Sequence, residues 1–111
     1  MGAIHMNNDL KILLARIKIL FKLQYQTRYW LTVVDDHFDH TYNFFFHSQR
    51  KHQRERSIPV HAVDTYDLEY LEPLIQSLRK VYQFSITFVG FEDEYWPSNH
   101  RIIQRKRLWD E

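Results

Sequence analysis

At 111 residues, 44% of them hydrophobic and 26% charged, the chain is sized for one domain whose core needs no metal or disulfide staple. Zero cysteines exclude a thiol nucleophile, an iron–sulfur cluster and a cysteine zinc site, and two glycines exclude a glycine-rich phosphate or dinucleotide loop. A formal charge of +1 gives the whole molecule no strong pull towards nucleic acid or an anionic membrane.

Met1–Met6 ends in a His5-Met6 pair whose methionine is a second start, the trace a cloning site leaves. Residues 1–6 are therefore expected to be vector-derived, and 7–111 to be the domain. Asn7-Asn8-Asp9 supplies N-cap chemistry for a first helix. In it Leu10, Leu13, Leu14, Ile17, Leu20 and Phe21 form one stripe at i, i+3, i+4 and i+7. Ile12, Ile19 and Leu23 fall outside that stripe and widen the apolar arc beyond what one buried face needs. The surplus fits either another subunit or a large sheet wrapped around the helix. Arg16, Lys18 and Lys22 interrupt the run, so it falls short of the roughly 18 apolar residues of a membrane span. No secretory signal is visible, and a cytoplasmic location is expected.

From Arg28 the period changes. Tyr29–Val34 is aromatic and β-branched and reads as a strand, and Tyr42–His47 reads as a second, paired with it as a hairpin across the polar Asp35–His40 connection. Phe44-Phe45-Phe46 puts rings on both faces of the second strand, which suits a central or doubly covered position. Gln49–Arg56 is a basic loop. Ile58–Val63 is a third strand, whose Pro59 suits an edge. Asp64 or Thr65 can cap a second helix carrying Leu68, Leu71, Leu74, Ile75, Leu78 and Val81; Pro73 requires either a separate turn over 66–71 or a kink. Phe84–Val89 is a strand ended by Gly90. Phe91–Asn99 is an acidic, aromatic loop, and Arg101–Trp109 fits both a strand and a helix, with the strand preferred. The order predicts an α+β domain: an N-terminal helix, an antiparallel sheet of three to five strands and a second helix, α-β-β-(β)-α-β-(β), with the helices on one face.

The leading functional expectation is a non-enzymatic protein-interaction module of inhibitor, immunity or adaptor type, homodimeric through the first helix. Ile12, Ile19 and Leu23, with Tyr95 and Trp96 in the acidic loop, are its binding residues, and alternating charge blocks fit oriented association. No cofactor is implied. A nucleic-acid binder is the alternative, using Arg50, Lys51, Arg54, Arg101, Arg105 and Arg107 on phosphates. A second alternative is a metal protein or small hydrolase. His37, His40 and His47 would ligate the metal, beside the carboxylates of Asp35, Asp36 and Asp39; in the metal-free version His47, Arg50, His52, Arg54 and His61 would serve RNA cleavage. Against the metal reading, His37 and His40 on a turn would splay apart.

Overall fold

A computed structural model of the chain describes residues 7–104, so the expected vector-derived start lies outside the described residues. Six elements follow in order: α1 (Asn8–Leu20), β1 (Thr27–Asp36), β2 (Thr41–Arg50), β3 (Arg56–Val63), α2 (Leu68–Val81) and β4 (Ser85–Val89). This is the α-β-β-β-α-β order read from the sequence. Helix α1 begins where its cap chemistry puts it: the Asn7 side chain accepts from the Leu10 amide at 2.7 Å, with Asp9 in the first turn and Lys18 in the last. Leu10, Leu13 and Ile17 of its stripe are buried, each contributing about 1.5–3 kcal/mol of hydrophobic stabilisation.

The strands form a single sheet in the order β3-β2-β1-β4. β1 and β2 pair antiparallel, as do β2 and β3, whereas β4 lies parallel to β1. The sheet is therefore mixed. A parallel neighbour needs a long crossover, and α2 supplies it between β3 and β4. β3 carries Pro59 on an edge, where its missing N–H leaves no gap in a central ladder, beside an irregularity opposite Phe44/Phe45.

Period-two alternation sends Leu31 and Val33 of β1, Tyr42, Phe44 and Phe46 of β2, and Val63 of β3 to one face, and the irregularity opposite Phe44/Phe45 lets Val60, three residues before Val63, be buried as well. There they join both helices, Phe91 and Ile103 in one core. Helix α2 starts at an Asp67 cap rather than at Asp64 or Thr65, because the Asp67 side chain accepts from the Glu69 amide. It runs unbroken through Pro73, with no separate turn over 66–71. Glu69, whose carbonyl loses its helical partner, and Pro73 itself are both exposed, so water can satisfy that oxygen. The strand expected over Arg101–Trp109 is reduced, among the described residues, to one bridge between Tyr95 and Ile102; Arg105–Trp109 lies outside them. No described helix is long and apolar enough to cross a membrane.

Candidate functional site

The same alternation turns Trp30, Thr32 and Val34 of β1, Asn43, Phe45 and His47 of β2, and Thr87 and Val89 of β4 to the opposite face. Among the described residues no helix covers it. Phe45, from the middle of the phenylalanine triplet, is half-buried there while its two neighbours are fully inside. At one end of this face His47 stacks on Trp30 with ring centroids 5.0 Å apart, and the Arg28 guanidinium sits 5.3 Å from the Trp30 centroid. The Glu55 carboxylate lies 3.2 Å from Nδ1 of His47. Arg28, Trp30, Gln49, Glu55, Ser85 and Thr87 line a shallow depression of about 620 Å3.

The ladders also sort the charge blocks by sheet end. Thr27 pairs with Arg50, so Arg28 and the exposed Arg50, Lys51, Arg54 and Arg56 share one end, with Glu55 among them. The ends of both helices add Lys22, Arg79 and Lys80 to it, since the Tyr29 hydroxyl donates to the Lys22 carbonyl and Tyr82 and Phe84 pack on Phe21. Asp36 pairs with Thr41 and Tyr42 with Val63, which gathers Asp35, Asp36, Asp39, Asp64 and Asp67 at the other end. Glu92, Asp93 and Glu94, following β4, join them. A ten-residue strand separates the two ends by about 30 Å. Arg101 sits with the acidic end, so the proposed phosphate-binding residues Arg50, Lys51 and Arg54 are not brought together with it; Arg105 and Arg107 lie outside the described residues.

The acidic end holds a tight polar cluster. Asp35 continues the inward register of Leu31 and Val33 and is only 3% exposed. The Tyr66 hydroxyl donates to its Oδ1, while Oδ2 is sealed from solvent without a donor. Oε2 of Glu94 is likewise sealed and unpartnered. Burial, then a hydrogen bond to Asp35 and the charge of Asp35, raise the Glu94 carboxyl from its ordinary 4.5 to about 7. His37 approaches from the turn: one ring nitrogen, Nε2, is 2.6 Å from the Gly90 carbonyl, and Nδ1 is 3.2 Å from the Tyr66 hydroxyl and 3.7 Å from Asp35 Oδ1. The Gly90 carbonyl, and then Asp35, hold the His37 pKa above its usual value. Gly90 is needed for this approach. It adopts φ +83°, and a Cβ there would come within 2.7 Å of the Asp35 carbonyl oxygen.

Of the three histidines expected together, only His37 joins this cluster. His40, at φ 54°, stacks on Tyr66 instead, and His47 lies at the other end of β2. The sequence does signal the inward turn of Asp35, two residues beyond Val33, but nothing local to Glu94 points to it. Elsewhere, Ile19 and Leu23 are 72% and 86% exposed, Ile12 is half-buried and Tyr95 is exposed. Trp96 packs edge-on against Phe88 beside the core. No family model, no curated protein and no solved structure matches this chain.

Proposed function

We propose that the chain is a non-enzymatic interaction module that pairs with a second copy of itself through the helix-free face of its sheet. The observation that carries this reading is the uncovered face itself, with Trp30, Val34, Phe45 and Val89 spread over its strands. The polarity of charge selects the occupant. A two-fold axis midway between two facing sheets, parallel to them and perpendicular to the strands, sets the two copies antiparallel, so each basic end meets the acidic end of the other copy. The same operation brings Phe38, 93% exposed at the acidic turn, towards the depression beside Trp30. From strand spacing and rise, the face offers roughly 500 Å2 per copy, or roughly 1,000 Å2 in the pair, at the lower bound of a specific interface. A dimer in concentration-dependent equilibrium with monomer is the expected state.

Sedimentation velocity across a range of concentrations tests this. Phe45→Glu places a carboxylate at the centre of the pairing face and is expected to leave a monomer at every concentration. The double variant Ile19→Glu/Leu23→Glu, on α1, is expected to sediment as the parent does. A parent that stays monomeric throughout overturns the proposal. So does the reverse pattern, in which the helix variant dissociates and the sheet variant does not.

A further inference from the structure

We infer that Asp35, His37 and Glu94 form a binding site for one divalent first-row transition cation of the zinc and manganese class. The inference is independent of the self-pairing above, because the site uses the inward-facing end of β1 and not the open face. Its first support is an excess of acceptors. Asp35, Glu94 and His37 converge, with one ligand atom from each within 4.8 Å of the others, and Tyr66 brings a single hydroxyl proton, which goes to Asp35 Oδ1. The only proton available to Oδ2 of Asp35 and Oε2 of Glu94 is one carried by Glu94 itself, and no neighbouring group gives either oxygen a donor. Buried carboxylate oxygens normally have one, and a cation between them removes the deficit.

The orientation of the histidine supports the same site. Nε2 of His37, 2.6 Å from the Gly90 carbonyl, is the nitrogen that donates. A neutral imidazole bonded in this way presents the lone pair of Nδ1 to the two carboxylates. Metal-bound histidines are commonly fixed through their other nitrogen in this manner. Distances are also close to those required. Ligand atoms on one zinc ion, each at about 2.0–2.2 Å, stand about 3.4 Å apart in a tetrahedron. Nδ1 of His37 and Oδ1 of Asp35 are already 3.7 Å apart. The remaining closure falls on Glu94, in the segment between Gly90 and the Tyr95 bridge.

One imidazole among the ligands favours a borderline transition ion over magnesium or calcium, which take all-oxygen shells. Three protein ligands leave a position open. It faces solvent on the His37 side, where that side chain is 63% exposed. The bound ion would fasten the segment after β4 to the end of β1.

The full-length chain, stripped with chelator and dialysed, is titrated calorimetrically with zinc chloride and, in parallel, with cobalt(II) followed by visible absorption. Saturable one-to-one uptake with a raised thermal midpoint is expected. His37→Ala and Glu94→Gln are each expected to weaken zinc binding about tenfold or more, while His47→Ala leaves it unchanged. Circular dichroism melts confirm that each variant is folded, and the exposed position of His37 makes its variant the safer of the pair. Absence of one-to-one uptake by the parent overturns the site and leaves a proton shared by Asp35 and Glu94 in its place. Uptake that survives both substitutions overturns it equally.

Discussion

Two places in this molecule are built from the same three residue types, and they differ in whether the carboxylate is satisfied. At the seam of α1, β3 and α2, Asp9 accepts from Tyr70 on Oδ2, and its Oδ1 lies 2.6 Å from Nε2 of His61. At the acidic end of the sheet, Asp35 accepts from Tyr66 on Oδ1 and lies near His37, yet its Oδ2 meets no donor other than the carboxyl group of Glu94 pressed upon it. The first trio is a closed clasp joining two helices to the edge strand. In the second, acceptors outnumber donors. A clasp strengthens the fold by itself, whereas an acceptor-rich pocket weakens it unless a cation arrives, and that contrast separates a structural polar cluster from a binding one.

Opposite responses to removing the two aspartates are the largest expected effect. Asp9→Ala takes away a charged acceptor from two half-buried donors and an acidic group from the first turn of α1, and is expected to cost about 2–3 kcal/mol. Asp35→Asn in chelated protein is expected to be neutral, or stabilising by about 1 kcal/mol, because the amide can donate to Glu94 while Tyr66 still has its acceptor. Urea midpoints for both variants read this directly. A comparable loss at the two positions would mean that the acidic cluster is as well satisfied as the clasp.

Tyr70 gives the clasp a signature in pH. Burial, then the hydrogen bond to Asp9, push its phenol from the ordinary 10.0 up to about 12. A folded value above the unfolded one means that the contribution is complete below pH 10 and is lost as pH rises through 12. Stability of the parent should therefore decline over that interval. Tyr70→Phe, about 1 kcal/mol less stable at neutral pH, should decline less. An unaltered alkaline slope in the variant would show that Asp9 does not depend on this phenol.

Much of this layout was legible in the chain, and the illegible parts share one cause. Asn7 caps α1, Tyr29–Val34 and Tyr42–His47 pair, and Phe44 and Phe46 turn inward while Phe45 does not, all following from periods of 3.6 and 2 over neighbouring residues. The parallel pairing of β4 with β1 joins Leu31 to Ile86, and no local pattern encodes a partner so distant. Glu94 reaches Asp35 only because of that pairing and the close pass of Gly90. His37, His40 and His47 looked like one group through proximity in sequence, but a ten-residue strand carries His47 away and the turn points His40 at Tyr66. The clasp was missed for the same reason. Asp9 read as a helix-start residue and His61 as a strand residue, with nothing to bring them together.

The smallest change sharpens the comparison furthest, because it separates ligand from scaffold. His61 is largely covered where it meets Asp9, so His61→Ala removes a charge-assisted hydrogen bond and opens a gap between α1 and β3, at a cost of about 1–2 kcal/mol. His37→Ala removes an exposed ring whose close partners are the Gly90 carbonyl and the Tyr66 hydroxyl, and in chelated protein it should shift stability by less than about 0.5 kcal/mol. With zinc present the two variants should change places. The parent and His61→Ala should gain thermal stability on adding the ion, since a ligand that binds only the folded state raises its midpoint, and His37→Ala should gain little. If His37→Ala were as costly without metal as His61→Ala, the imidazole would be a structural strut, and the acidic cluster would be a second clasp rather than a place prepared for an ion.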